Sequence, residues 1–198
     1  MKAIVTGMIA SYPVGGVVWD YGQYALGLEQ LGLEVWYLED TGWQVYDPLK
    51  GAYGEDCAYN VDYLGRSLAA LSPTLGRRWH FRNMDGRTFG VDPRNVSGGT
   101  LLRDEYMRCR RKTLIDSDPG WNHFRNYPRW DANPGWQNSH GYRAHDFFFT
   151  YAERLDRPDC VLPALGLPWQ PTRPPVVLDC WEGRPPGEKW TTVMTWKN

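Results

Sequence analysis

The segment from Ala3 to Asp40 constrains the fold of this 198-residue chain more than any other part. A short apolar run leads to a glycine pair at Gly15-Gly16, and the amphipathic stretch Trp19 to Leu31 then precedes a second apolar run. This order predicts a strand, a helix and a second strand in one βαβ unit. A glycine-rich turn at a helix N-terminus is typical of a phosphate site, because unpaired N–H groups and the helix dipole face the ligand. The pattern therefore indicates a protein that handles a nucleotide or a phosphosugar.

The rest of the chain mostly repeats the order of strand and then helix. The predicted strands cover Lys2–Met8, Leu33–Leu38, Thr113–Ile115, Phe147–Tyr151, Val176–Asp179 and Thr192–Met194. A second helix is predicted from Val61 to Leu71, and Asp85-Gly86 predicts a hairpin, whereas residues 41–58 read as a long loop. We therefore expect an α/β fold, with a Rossmann-like, mostly parallel sheet and helices on both faces, forming one lobe over residues 1–198.

Composition narrows the class of partner. The chain has 22 basic and 23 acidic residues, so it carries no net field that would hold a nucleic acid. Its four cysteines lack CxxC and CxxH spacing, which argues against a zinc ribbon and favours reduced thiols in a cytoplasmic protein. No apolar run is long enough to span a membrane, and we expect no metal. Eleven Trp, twelve Tyr and fifteen Pro suggest aromatic loops, either around a sugar or nucleotide cleft or simply packed on one another.

The glycine pair and the acids after the second strand allow two interpretations. Gly15 and Gly16 are candidate ligand-binding residues if positive φ brings their N–H groups close to a phosphate or sugar oxygen, or they serve only to reverse the chain. Glu39 and Asp40 lie where a ribose-binding acid would be in an NAD enzyme, although the GxGxxG pattern is missing. Asp20, near the predicted helix start, is either a base for an acceptor hydroxyl or an acid that satisfies the helix dipole.

Three further candidates follow later strands. Asp116 and Asp118 precede a Pro-Gly turn. Asp118 is either a proton acceptor or a residue that caps a helix or forms an Asx-turn. Glu153 follows the Phe147–Tyr151 strand and is either a cleft residue or a cap. Arg173 either pairs with a phosphate or lies on the surface as an ordinary arginine. The histidines of the aromatic loop match no metal spacing, and we expect them to be exposed or hydrogen-bonded structural residues.

Several segments together resemble a known family. The stretch SYPVGGVVWDYGQYALGLEQLGLEVWYLED is similar to the amino-terminal lobe of GT-B glycosyltransferases, in which a GG loop after strand one precedes a helix and a second strand. IDSDPGW, HDFFFTYAE, LGLPWQPTRPPVVLD and KWTTVMTW resemble the rest of that lobe, so the similarity covers nearly the whole chain. Between Gly90 and Arg103, however, one helix and strand expected before the Ser97-Gly98-Gly99 turn are replaced by a short polar connection.

The resemblance implies one lobe of an enzyme that moves a sugar from a nucleotide-sugar co-substrate to an acceptor hydroxyl, with no other cofactor and no catalytic metal. Asp20, Asp118 or Glu153 would take the proton from the acceptor hydroxyl. Gly15, Gly16 and Arg173 would bind the nucleotide-sugar. We expect the donor-binding lobe to be absent from this chain, which would leave it inactive unless a second lobe, or self-association, completes the cleft. Two alternatives stay open: a non-catalytic module that binds carbohydrate or a partner, and an NAD-dependent oxidoreductase that uses Glu39.

Overall fold

A computed structural model of the protein describes residues 1–91, 102–181 and 183, and these residues form an α/β fold. The strands are β1 (Lys2–Thr6), β2 (Glu34–Asp40), β3 (Val45–Asp47), β4 (Ala52–Gly54), β5 (Trp79–Arg82), β6 (Thr88–Gly90), β7 (Thr113–Asp116), β8 (Phe147–Thr150) and β9 (Trp169–Pro171). The α-helices are α1 (Gly15–Gln30), α2 (Ala58–Leu71), α3 (Pro119–Trp121) and α4 (Tyr127–Asp131), and a π-helical turn, Asn122–Asn126, joins the last two. Short 3-10 turns include Asp104–Arg108 and Leu178–Cys180.

The described strands belong to three sheets rather than to the one sheet expected from the sequence. The first has the order β1-β2-β5-β6, with β1, β2 and β5 parallel and β6 antiparallel. The third, β7-β8-β9, is parallel throughout, and β3 pairs with β4 in a separate hairpin. The antiparallel β6 confirms the predicted hairpin at Asp85-Gly86, where Gly86 has a φ of +87° that favours glycine.

The core lies between the first sheet and the helices α1 and α2. Ala25 and Leu26 of α1 and Leu64 and Leu68 of α2 are buried there with β-strand side chains such as Val35. This confirms the βαβ unit, since buried apolar residues at helical spacing face a parallel pair of strands. Two glycines serve this packing directly. Gly32 ends α1 with a φ of +80°, and a Cβ at Gly22 would lie 2.6 Å from Leu71 Cδ1, so that glycine allows the two helices to approach closely.

Several boundaries differ from those predicted. Helix α1 begins four residues earlier than expected, and residues 41–58 contain the β3–β4 hairpin instead of only a loop. A strand was expected over Val176–Asp179, but that segment leads into a 3-10 turn, and the strand before it is β9. Only three residues long and ending in proline, β9 has no alternating pattern that a sequence would show. The predicted Ser97-Gly98-Gly99 turn and the Thr192–Met194 strand lie outside the described residues.

The aromatic residues after β7 pack largely on one another. Tyr127 is buried with its ring centroid 4.3 Å from that of Tyr142, and Trp169 and His123 also contact it. Such ring pairs add to the stability gained from burying apolar surface. This cluster therefore fits the interpretation in which the aromatics form a packed layer. In the described part of the chain, no helix is long and apolar enough to cross a membrane.

Candidate functional site

The loop that connects β1 to α1 is fixed by a buried carboxylate. Glu39 has no exposed surface, and its two oxygens accept the N–H groups of Ala10 at 2.8 Å and Ser11 at 2.6 Å. The Tyr37 hydroxyl donates to Glu39 Oε2 at 3.0 Å and accepts the Ile9 N–H at 3.1 Å. Burial raises the pKa of Glu39 to about 7, although the hydrogen bonds that Glu39 accepts from Ala10, Ser11 and Tyr37 favour the ionised form.

The neighbouring acid is also bonded within the protein. Asp40 is fully buried and accepts two hydrogen bonds from the Arg103 guanidinium, at 2.7 and 3.0 Å, and one from the Tyr106 hydroxyl at 3.0 Å. Arg103 also donates to the Gln137 carbonyl at 2.6 Å, so the pair ties β2 to the second half of the chain. Neither Glu39 nor Asp40 therefore presents a free oxygen to a ribose in this structure.

The glycine pair has a different conformation from the one expected. Gly15 and Gly16 are the first two residues of α1, and neither has a positive φ. The turn lies earlier, at residues 9–11, and Val14 before the helix is extended with φ −125° and ψ 149°, so Gly15-Gly16 begins a helix and does not form the expected glycine turn. Both glycines are exposed, and a Cβ on either would meet nothing within 4 Å. The expected helix N-terminus is present at these glycines, and Val14 provides no side-chain cap for it.

Asp20 lies in the second turn of α1 rather than at the helix start. Its side chain is half-buried, and burial raises its pKa. No hydrogen bond or ion pair to its carboxylate is found in residues 1–91, 102–181 and 183. Burial, and to a smaller extent the charge of Asp20, raises the pKa of Tyr24 and of Tyr151, whose hydroxyls lie 2.8 Å apart, and Tyr151 follows the end of β8. Asp20 is thus close to the carboxyl edge of the third sheet.

A groove of about 450 Å³ runs beside this part of α1, and we call it the α1 groove. Its described lining residues are Val14, Gly16, Val17, Trp19, Asp20, Gln23, Pro174 and Pro175. The helix side is therefore the face of α1 that carries Gly16, Asp20 and Gln23, and the opposite wall is the proline pair after β9. At one side of the groove, the Trp19 ring packs on that of Trp181, with centroids 4.9 Å apart. The groove is mostly apolar with two polar side chains, which is typical of small-molecule sites.

The carboxyl edge of β7 carries a buried contact between a carboxylate and a histidine. Asp116 and His123 have almost no exposed surface, and His123 Nε2 lies 2.8 Å from Asp116 Oδ2 without the alignment of a hydrogen bond. His123 Nδ1 faces the Pro163 carbonyl at 2.7 Å, so it carries a proton. His123 thus makes a structural contact that joins β7 to the segment before β9.

The two other predicted acids have protein partners. Asp118 is exposed, precedes α3 and accepts the Trp121 N–H at 3.4 Å, which is the cap considered from the sequence. Glu153 pairs with Arg173 through two hydrogen bonds, one of them at 3.2 Å. The Arg173 guanidinium holds the pKa of Glu153 below its usual value. Both side chains are exposed, so a ligand can reach the pair.

The structure thus brings most predicted residues to neighbouring places. Asp118, Glu153 and Arg173 follow the carboxyl ends of three adjacent parallel strands, and Asp20 lies near Tyr151 at that edge. Gly16 lines the α1 groove, whereas Gly15 does not. Sequence reasoning missed Gln23 and the proline pair. The helical spacing of Gly16, Asp20 and Gln23 was a usable signal, but the opposite wall comes from residues about 150 positions away.

Comparisons with known protein families, with curated proteins and with solved structures find no match to this chain. Among the residues that the structure describes, no three Asp, Glu, His or Cys side chains converge as metal ligands would.

Proposed function

We propose that this chain is the acceptor-side lobe of a GT-B-type glycosyltransferase. It would transfer a sugar from a nucleotide-sugar donor to an acceptor hydroxyl, with a donor-binding lobe completing the cleft. The support is the sequence resemblance, together with parallel strands whose carboxyl ends carry acids and a helix N-terminus. Within this proposal the α1 groove holds the acceptor, and the Glu153–Arg173 pair lies beside it through the adjacent Pro174.

One observation carries the proposal: Asp20 is the predicted catalytic acid whose carboxylate has no bonding partner among the described residues. It lines the α1 groove, and burial raises its pKa. A carboxylate with a raised pKa is a better proton acceptor than one in water, and a general base needs free access to the hydroxyl proton. Asp118 and Glu153 would each have to give up an existing hydrogen bond. Asp20 is therefore the base in this proposal.

A second candidate function is a carbohydrate-binding module without catalysis. The observation that favours it is the contact of Trp19 with Trp181, two partly exposed rings at the side of the α1 groove. Sugar C–H faces stack on aromatic rings, and such binding needs no base. The two candidates differ in what Asp20 does: a transferase directs the acceptor hydroxyl to it, whereas a stacking module tolerates its replacement.

The experiment is a calorimetric and thermal-shift screen against UDP-, GDP-, ADP- and dTDP-sugars, NAD and methyl glycosides. Gly16→Val fills the α1 groove, and Gly15→Val is the matched control, because both glycines are exposed, helical and free of close neighbours. We expect a glycoside to bind the wild type and Gly15→Val but not Gly16→Val. Equal effects of the two variants would contradict a ligand in the groove, and binding of NAD alone would favour an oxidoreductase.

Asp20→Asn separates the two sugar-binding candidates, because the amide keeps the shape of the side chain but cannot take a proton. In the transferase, any transfer of labelled sugar to the bound glycoside should fall by at least about a hundredfold. Glycoside binding should weaken as well, since a charged acceptor is lost. Glycoside binding that is unchanged in Asp20→Asn would support the module.

A further inference from the structure

Gln23, which lines the α1 groove, has a side-chain N–H donor without a hydrogen-bond partner among the described residues. Gln23 is 5 % exposed, and its Oε1 accepts the Val177 N–H at 2.6 Å. This bond fixes the orientation of the amide, because an N–H donor must face the oxygen and not the nitrogen. The Nε2 group is then buried with no hydrogen-bond partner in the described structure. A buried unpaired donor is rare and costly, so its presence at a groove indicates a ligand that accepts from it.

Gln23 and Asp20 present opposite hydrogen-bonding requirements on one helix face. They are three residues apart on α1, which places their Cβ atoms about 5–6 Å apart. Asp20 accepts hydrogen bonds, and Gln23 Nε2 donates them. A hydroxyl group meets both requirements, since its oxygen accepts while its hydrogen donates. A protonated amine has no lone pair for Gln23, and a carboxylate or phosphate would be repelled by Asp20.

The other lining residues define what carries the hydroxyl. Val14, Val17, Trp19 and the proline pair are apolar, and no lysine or arginine is among the described lining residues. This disfavours the phosphate that the helix N-terminus suggested from the sequence, because phosphate sites pair the anion with cations as well as N–H groups. The volume of about 450 Å³ is within the usual range for small-molecule pockets.

The wall opposite α1 is held in place before any ligand arrives. Val177 is 7 % exposed, belongs to the main core, and bonds to Gln23 through its N–H. Pro174 and Pro175, just before it, have φ angles fixed by their rings. A preformed groove loses little conformational freedom on binding, which favours even a small ligand.

We propose that the α1 groove binds a neutral alcohol with an apolar face, whose hydroxyl accepts a hydrogen bond from Gln23 Nε2 and donates one to Asp20. The proposal deepens the proposed function and rests on it only in taking Asp20 as the group that faces the hydroxyl. Asp20 then selects an alcohol over an ether or an ester, because only the alcohol has a hydrogen to donate to the carboxylate, and Gln23 selects an oxygen acceptor over a protonated amine. An apolar face is offered both by an aromatic aglycone and by the C–H face of a pyranose, and the experiment includes both.

The test is a titration of the ¹⁵N-labelled chain followed through side-chain amide resonances, with three matched probes. Benzyl alcohol both donates and accepts, benzyl methyl ether only accepts, and benzyl phosphate is an anion of the same ring. We expect benzyl alcohol to shift the Gln23 amide and to bind at least about tenfold more tightly than the ether. Benzyl phosphate should bind more weakly than the alcohol. Methyl β-glucoside, tested in the same way, shows whether a pyranose face serves as well as an aromatic ring.

The variant arm uses Gln23→Glu, which keeps an oxygen for Val177 but replaces the donor by an acceptor. Gln30→Glu makes the same change on an exposed part of α1 outside the groove. Benzyl alcohol should lose at least about tenfold in affinity in Gln23→Glu and keep it in Gln30→Glu. The probe comparison uses the wild type, so it stands even if Gln23→Glu does not fold.

Equal affinities for alcohol and ether, tighter binding of the phosphate, or an unchanged Kd in folded Gln23→Glu would each overturn the proposal. Its failure is distinguishable from failure of the transferase function. If benzyl alcohol binds as expected but no glycoside binds, the alcohol site stands and the transferase does not. If glycosides bind and depend on Asp20 while Gln23→Glu has no effect, the transferase stands and the role of Gln23 does not.

Discussion

The buried carboxylate of Glu39 makes the stability of this protein depend on pH near neutrality. Burial raises its pKa from 4.5 to about 7, so between these values the folded state holds a proton that the unfolded state has released. Stability falls with rising pH wherever the folded state binds more protons. The contribution of Glu39 is therefore largest below its unfolded pKa of 4.5 and is lost as the pH rises through about 7. Glu39→Gln removes the ionisation and should remove this dependence.

The size of the effect follows from the shift. Moving from about pH 5 to about pH 8 should lower the free energy of unfolding by about 2 to 3 kcal/mol through this one group. Urea denaturation followed by tryptophan fluorescence at several pH values measures it. The quantity to compare between the variants is the slope of the free energy of unfolding against pH. The amide introduced by Glu39→Gln would direct its own N–H at the Ala10 or Ser11 N–H, and so would lower absolute stability at every pH.

Glu55→Gln is the control, since Glu55 is exposed and the same chemical change there should leave the slope as in the wild type. The comparison also cancels the opposite contribution of His145, whose pKa is lowered by burial and which therefore adds stability as the pH rises. Parallel slopes for the wild type and Glu39→Gln would refute the argument. They would mean that the Ala10, Ser11 and Tyr37 hydrogen bonds outweigh burial and keep the carboxylate ionised throughout.

Three more predictions concern single contacts. Arg103→Met should lower the free energy of unfolding by about 3 kcal/mol, measured by urea denaturation, because it removes two hydrogen bonds from the buried Asp40 carboxylate and leaves Arg82, 4.0 Å away, as its nearby cation. Gly76→Ala should cost about 1 to 3 kcal/mol in the same assay, because its Cβ would lie 2.8 Å from Ala69 Cα, whereas Gly120→Ala, with no close neighbour, should not. Arg173→Ala should leave the urea midpoint unchanged because its ion pair is exposed, and a large shift would contradict that interpretation.

The first βαβ unit could be predicted because its signals are local. The apolar run of β1, the helical spacing of Ala25 and Leu26, and Gly32 after α1 all lie within one short stretch, and each determines the backbone near it. The start of α1 was predicted at Trp19 instead of Gly15 because a glycine pair is compatible with both a turn and a helix. The extended Val14 decides between them, and no side-chain pattern in the sequence reveals its conformation.

The site was less predictable, since its decisive contacts join distant residues. Gln23 looks like an ordinary polar residue of an amphipathic helix, and only its bond to Val177, 154 positions away, shows that its second polar atom is unpaired. In the same way, Glu153 and Arg173 were each predicted to act separately, but their pairing depends on β8 and β9 lying side by side.

Neither acid at the end of β2 has a free carboxylate, whereas, within the described part of the chain, Asp20 on helix α1 does. Successive residues of a strand point to opposite faces, so Glu39 and Asp40 cannot serve the same ligand. Glu39 bonds to the loop that leads into α1, and Asp40 bonds to Arg103 in the second half of the chain. Glu39 and Asp40 each hold a neighbouring segment against the carboxyl end of β2. An alcohol bound as we propose must therefore find its acid elsewhere, and Asp20, which lines the α1 groove together with Gln23, is that acid.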